Sequence, residues 1–259
     1  AATGDRIDEA EEDQWLLNKV EETKQLLEQK KYSNDNSFPA SSKELKTIQF
    51  KQYRVHDFAW FADKRFHALK GKILLPKSGK EVDSWAFFTN NEIELWEKSI
   101  EYINDATLFY SNMNGDYPYN HVTAVDGTIS AGGGMEYPNI TIIGESGNAM
   151  TLETTIMHEV GHNWFYGILG SNERKYPFMD EGLNSFYEMR YIRSKYPNLT
   201  LASLIGKDST FNFLGLNKFK HKAEYEFAYL LAARKNIDQP IATAAKDFTE
   251  YNYGGIVYS

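Results

Sequence analysis

Two histidines and a glutamate in the stretch HEVGH are the residues of this sequence best suited to chemistry. His158 and His162 stand four positions apart, and side chains with that spacing share one face of an α-helix. Both imidazoles can therefore reach one metal ion, and Glu159 can contact a water molecule on that ion. Two histidine ligands with an adjacent carboxylate base are typical of a hydrolytic zinc site.

A catalytic zinc ion takes three protein ligands and keeps a fourth position for water, so one more ligand is needed. Glu181 is the best candidate, because eighteen residues separate it from His162. That length accommodates a helix end, a loop and the first turn of another helix. We therefore expect one zinc ion per chain, held by His158, His162 and Glu181. The remaining histidines lack such neighbours, and we expect them to be structural or exposed: His56, His67, His121 and His221.

Two helices must position these ligands, and apolar periodicity predicts both of them. The first covers 151–166, with Gly167 and Gly170 available to end it, and the second covers 180–195, stopped by Pro197. The same periodicity predicts three more helices, over 8–30, 91–111 and 221–235.

Strands are predicted where β-forming residues alternate. The segment 46–63 reads as strands, and 70–89 reads as a hairpin about Lys77-Ser78-Gly79. Two short strands follow within 112–127 and 131–146, the second after a run of glycines. Residues 33–43 read as a loop, and the last twelve residues show no clear period.

Composition excludes several classes of function. The net charge is -8 and no Lys/Arg-rich run occurs, which argues against a nucleic-acid surface. The absence of cysteine excludes disulfides, thiolate nucleophiles and cysteine-based zinc sites. No apolar run is long enough to span a membrane, and the acidic first residues do not form a signal peptide.

A second motif makes the sequence resemble a known family. The HEVGH stretch followed by Glu181 is similar to the gluzincin pattern. Residues 133–136, GGME, resemble the G-x-M-E-N exopeptidase motif of the M1 family of zinc aminopeptidases. Tyr137 stands where that family has asparagine. Near the end, Tyr258 in IVYS resembles the tyrosine segment of the same family.

The resemblance implies a role for each matching residue. Glu136 would anchor the substrate's α-amino group by a charge-assisted hydrogen bond, with substrate contacts also from Gly133, Gly134 and Met135. Glu159 would activate the zinc-bound water, and the Tyr258 hydroxyl would stabilise the oxyanion. The substrate would be a peptide with a free amino terminus.

The resemblance also implies an α+β fold, a thermolysin-like zinc peptidase catalytic domain with a small mixed sheet and a mostly helical lobe. Residues 51–259 would be this domain, truncated at its carboxy terminus, and 1–50 a remnant of an upstream region. Family likeness favours a periplasmic or secreted location. Two alternatives stay open: a thermolysin-type zinc endopeptidase, and a non-catalytic fragment that binds zinc or peptide.

Overall fold

The protein is α+β and divides into two compact units, Ala1–Gly167 and Ile168–Ser259. The HEVGH motif and Glu136 belong to the first unit, whereas Glu181 and Tyr258 belong to the second. The division at residue 50 that the resemblance implies stays a prediction. The structure is a computed structural model that describes residues 1–7, 11–127, 129, 133–201, 213 and 215–259.

A mixed five-stranded sheet organises the first unit, and a separate two-stranded sheet lies in the same unit. The strands are β1 (Asp5–Arg6), β2 (Phe50–Lys51), β3 (His67–Leu74), β4 (Glu81–Phe88), β5 (His121–Asp126), β6 (Gly134–Met135) and β7 (Ile140–Ile143). The larger sheet has the order β3-β4-β5-β7-β6, and the smaller one joins β1 to β2. In the larger sheet the two inner pairings, β4 with β5 and β5 with β7, are parallel, and the two outer pairings are antiparallel.

Helices pack on this sheet and make up most of the described second unit. The α-helices are α1 (Glu11–Gln29), α2 (Ile93–Trp96), α3 (Ser99–Asn114), α4 (Ala149–Gly161), α5 (Leu183–Lys195), α6 (Ala223–Arg234) and α7 (Glu250–Asn252). In the first unit, α3 packs against α4, and α4 packs against β7 and β6.

Several predicted elements are confirmed. The hairpin forms with Gly79 at φ +68°, a conformation that glycine adopts at no steric cost. Alternate residues of β4 are buried, as expected for a strand with one face on the core: Val82, Ser84, Ala86 and Phe88. The helices predicted over 8–30, 180–195 and 221–235 form as α1, α5 and α6, although residues 8–10 lie outside the described part of the chain.

The prediction of strands over 46–63 is wrong for most of that segment. Only Phe50–Lys51 forms a strand, and it pairs with Asp5–Arg6. Farther along, Trp60 makes a single bridge with Ala2, and the Phe61 amide donates to the Ala1 carbonyl at 2.9 Å. The segment thus meets the first residues of the chain at separate points, and its ladder with them is only two residues long.

The helix predicted over 151–166 ends earlier, because α4 stops at Gly161 and His162 is its C-cap. Beyond it the backbone leaves the helical region at Phe165 and at Tyr166, which has a φ of +129°. Trp164 is buried in this turn, stacks on Tyr110 at 5.2 Å, and donates its indole N–H to the Gly115 carbonyl. Burial of this indole against α3 favours the turn over another helical turn. The helix predicted over 91–111 is likewise two helices, α2 and α3.

The carboxy-terminal residues, for which no period was found, form helical turns. Thr249 caps α7 by accepting the Asn252 amide at 3.3 Å, and a single wide turn follows over Tyr253–Val257. This turn packs on α6, where a side chain added at Gly255 would lie 3.0 Å from the Ala228 Cβ. The missed sequence signal is the threonine N-cap, because a short run offers no periodicity.

Candidate metal centre

Helix α4 carries the HEVGH motif as far as Gly161, with His162 as its C-cap, and is capped at its amino end by a side chain. At its amino end, the Asn148 side chain accepts the Thr151 amide at 2.9 Å. Its apolar face is fully buried, so the orientation of the helix about its axis is set by packing. That face consists of Leu152, Ile156, Met157 and Val160. Consequently Glu159 and His162 are also buried, with 6% and 1% of their surfaces exposed.

The two histidines of the motif converge as the spacing predicts. The Nε2 atoms of His158 and His162 lie 3.1 Å apart. Two nitrogens bound to one tetrahedral zinc ion at about 2.05 Å would be about 3.3 Å apart. The pair therefore has the separation that a shared metal ion requires.

The other ring nitrogen of His162 is already engaged. Its Nδ1 lies 3.0 Å from the carbonyl oxygen of Phe165, which can only accept a hydrogen bond. Nδ1 is therefore the protonated nitrogen, and Nε2 keeps its lone pair for a metal ion. A backbone carbonyl behind a ligating histidine is the usual means of fixing its tautomer and ring orientation. The strained turn at Tyr166 brings this carbonyl back towards α4.

Glu136 lies beside the same group of atoms in the first unit. Ligand atoms of Glu136, Glu159 and His162 all lie within 4.8 Å of one another. The backbone of Gly134 covers Glu159 so closely that an added Cβ would overlap the carboxylate. A larger residue at position 134 would displace the Glu159 side chain, so glycine here lets the edge strand approach that carboxylate closely.

The GGME stretch forms the edge of the main sheet. Gly134 and Met135 are β6, and Glu136 follows directly, half-buried. Gly133 has a φ of +67°, and its carbonyl accepts the Gly144 amide at 2.8 Å. The Thr141 hydroxyl on β7 donates to the Met135 carbonyl at 2.8 Å. These bonds hold the four residues next to α4.

Glu181 and Tyr258 are brought close to one another within the second unit. Glu181 lies in the helical turn Phe178–Gly182, just before α5, as predicted. Tyr258 follows the turn Tyr253–Val257, and its ring contacts that of Tyr253. The two turns touch at Gly182, where an added Cβ would lie 2.6 Å from the Val257 carbonyl oxygen.

Two asparagines near the motif were not found from the sequence. Asn139 is 1% exposed and has a φ of +53°, and its amide donates to the Asn163 side chain at 2.9 Å. Asn163 directly follows the motif and is 6% exposed. The sequence signal was Pro138-Asn139, because proline followed by asparagine predicts a turn with a positive φ.

The other four histidines have local partners instead. His56 is exposed and stacks edge-on against Tyr166. Burial lowers the pKa of His67, His121 and His221, which favours their neutral forms. Among the residues that the structure describes, the groups that could hold a metal ion include no histidine outside the HEVGH motif.

Comparisons with known proteins give only distant likenesses. No family model matches the chain, and no curated protein matches it. Among solved structures, the chain is similar to Legionella pneumophila aminopeptidase A in complex with aspartic acid, with 13% identity and a TM-score of 0.44 over 55% of this chain and 18% of that one.

Two further similar structures are mutants of M1 zinc metallopeptidases. One, from Deinococcus radiodurans, has 12% identity and a TM-score of 0.41, over 75% of this chain and 37% of that one. The other, a two-domain form bound to L-arginine, has 12% identity and a TM-score of 0.44, over 74% and 39%. The chain thus spans between 18% and 39% of these proteins. At such TM-scores the likeness carries no argument about function, which must rest on the residues themselves.

Among the described residues, no helix combines the length and the apolar character that crossing a membrane requires.

Proposed function

We propose that this chain is a thermolysin-like catalytic domain of a zinc aminopeptidase. The observation that carries the proposal is the position of Glu136. Its carboxylate lies within 4.8 Å of both the Glu159 carboxylate and a His162 nitrogen. A metal-ligand pair, a base and an additional carboxylate are thus gathered in one place.

The residues present suit a zinc ion. His158 and His162 would hold it through Nε2, and Glu181 would be the third ligand of a His2Glu set. The His162 tautomer required for ligation is the one that the Phe165 carbonyl selects. A zinc ion bound there would lower the pKa of a water molecule and polarise the substrate carbonyl.

Glu159 is the proposed general base. It would accept a proton from the attacking water and later deliver it to the leaving amine. A side chain at position 134 would overlap this carboxylate, so Gly134 leaves the base the space that it occupies. The Tyr258 hydroxyl would donate a hydrogen bond to the developing oxyanion.

Glu136 would make the enzyme an exopeptidase. In a peptide, the α-nitrogen of the first residue is two bonds from that residue's carbonyl carbon, or about 2.5 Å. An anchor for the α-ammonium group must therefore lie within a few ångströms of the groups that act on the carbonyl, as Glu136 does. An ammonium–carboxylate pair in a partly buried site would fix the cleavage point after the first residue.

The decisive experiment compares one peptide with a free and with an acetylated amino terminus. An aminopeptidase should cleave only the free form, because the acetylated nitrogen carries no charge for Glu136 to bind. The Glu136→Ala variant should keep its zinc and lose about 1.5–3 kcal/mol of transition-state stabilisation, roughly tenfold to hundredfold in kcat/KM. The measurement is product release by mass spectrometry, with bound zinc counted in each sample.

Glu159→Gln is the matched control, since it should retain zinc and lose nearly all turnover. Equal cleavage of both peptides would favour the thermolysin-type endopeptidase instead. Stoichiometric zinc with no cleavage of either peptide would favour the non-catalytic zinc- or peptide-binding alternative. An unchanged kcat/KM in Glu136→Ala would contradict the role of Glu136 as the anchor of the substrate's α-amino group.

A further inference from the structure

The loop that carries Glu136 is joined to α4 by a buried hydrogen bond. The amide of Asn139 donates to Oδ1 of Asn163 at 2.9 Å, and the Asn163 Nδ2 donates to the Val160 carbonyl at 2.9 Å. Val160 directly follows Glu159 in the last turn of the helix. One side chain therefore links the substrate-anchor loop to the helix that carries the base.

The turn between Glu136 and β7 presents this amide. The Ile140 amide donates to the Tyr137 carbonyl at 3.1 Å, which closes a four-residue turn with Pro138 second and Asn139 third. The third residue has a φ of +53°. Such turns require a positive φ at this place, and asparagine tolerates it. The geometry leaves the Asn139 N–H pointing out of the turn towards Asn163.

All four polar groups of Asn139 are bonded to different parts of the chain. Besides its amide bond to Asn163, its carbonyl accepts the Thr123 amide at 3.0 Å. Its side chain accepts the Gly4 amide at 2.9 Å and donates to the Gln52 side chain at 3.0 Å. The residue is only 1% exposed, so these bonds are largely shielded from water.

We propose that Asn163 is a positioning residue that sets the place of Glu136 relative to Glu159 and His162, and hence selectivity for a free α-amine. It touches neither substrate nor metal in this assignment and acts through the Asn139 amide. The inference rests on the proposed aminopeptidase function. Removal of a residue that holds a functional group in place, without itself touching the metal or the substrate, typically lowers affinity or activity about 10- to 100-fold.

The test uses two ligands that differ only in the α-amino group, phenylalaninamide and 3-phenylpropanamide. Their affinities for zinc-loaded protein are measured by calorimetry. The wild-type protein should bind phenylalaninamide more tightly than 3-phenylpropanamide. Asn163→Ala should lose about tenfold of that preference, with unchanged affinity for 3-phenylpropanamide and full zinc content.

Two control variants separate positioning from general loosening. Asn139→Gly keeps the positive φ and the amide bond to Asn163 and removes only the bonds to Gly4 and Gln52, so it should keep the preference. Asn148→Ala removes the cap at the opposite end of α4 and should lower stability without altering the preference. If either control variant lost as much of the preference for phenylalaninamide as Asn163→Ala does, the proposal would be overturned.

Amide hydrogen exchange supplies a readout that needs neither zinc nor turnover. In Asn163→Ala the Asn139 amide should exchange faster than in wild type, whereas in Asn148→Ala it should not. Unchanged exchange at Asn139 would overturn the positioning role. Wild type without preference for the amine would contradict the aminopeptidase proposal, and the exchange data would still decide whether Asn163 holds the loop.

Discussion

At the scale of single residues, the histidines differ in what their second nitrogen contacts. His162 donates from Nδ1 to a backbone carbonyl, which leaves Nε2 next to the Nε2 of His158. His121 uses both nitrogens for structure, with Nε2 2.9 Å from the Gly4 carbonyl and Nδ1 3.0 Å from the Thr123 hydroxyl. Residue type alone therefore does not separate a ligand from a structural histidine.

His121 should make stability depend on pH. Burial lowers its pKa in the folded state, an effect that the Gly4 carbonyl and the nearby Asp5 partly oppose. The unfolded pKa is about 6.5. The stability that neutral His121 contributes to the folded state is therefore fully present above the unfolded pKa. It is lost as the pH falls through the folded pKa.

The measurement compares urea unfolding of wild type and His121→Gln at several pH values. The advantage of wild type in free energy of unfolding should shrink as the pH falls below about 6.5, the unfolded pKa. His56→Gln, at an exposed position, serves as the control. A wild-type advantage independent of pH would contradict the prediction.

At the scale of elements, glycines decide how closely neighbouring segments approach. Gly134 lets the edge strand lie against Glu159, and Gly182 lets the turn that carries Glu181 touch the carbonyl before Tyr258. Neither position has a positive φ, so the requirement is for space and not for backbone conformation. The positions of the edge strand and of the turn that carries Glu181 therefore depend on these close contacts as well as on local sequence.

Gly182→Ala should separate the two turns of the second unit. The added Cβ would lie 2.6 Å from the Val257 carbonyl oxygen, and backbone atoms would have to move to accommodate it. We expect a loss of about 1–3 kcal/mol in the free energy of unfolding, together with reduced peptidase activity. Urea unfolding and kcat/KM would be measured on the same preparations.

Gly254→Ala is the matched control for this change, because an added Cβ there meets no atom within 4 Å. Its stability should be unchanged or up to about 1 kcal/mol higher. Similar losses in the two variants would show that the Gly182 contact is not what limits the turn.

At the scale of the whole molecule, binding of the proposed zinc ion should stabilise the folded chain. A ligand that binds only the folded chain stabilises it, by about 4 kcal/mol at a concentration a thousand times its Kd. For a chain of this size that would raise the Tm by about 8–16 °C.

Removal of zinc by a chelator should therefore lower the Tm by roughly that amount, and added zinc should restore it. Differential scanning calorimetry on dialysed protein measures the effect. Glu181→Gln should weaken the response to zinc, because it removes the third ligand, whereas Glu159→Gln should leave it intact. A full response in Glu181→Gln would exclude Glu181 as a ligand.

Local patterns were sufficient to predict three of the helices and the hairpin, and to select candidate metal ligands. A spacing of four residues places His158 and His162 on one helical face whatever surrounds them, and alternation specifies the buried face of β4. Such features depend on residues near one another in the chain, so they can be read directly. The α+β class was implied by the family resemblance, and the structure confirms it.

Contacts between distant residues were not readable in this way. The early end of α4 depends on Trp164 packing against Tyr110, and the Glu136 loop depends on Asn139 meeting Asn163. The segment 46–63 alternates like a strand, yet only Phe50–Lys51 forms one, paired with Asp5–Arg6. Each outcome depends on which backbone or side chain arrives from elsewhere, and a single sequence does not encode that locally.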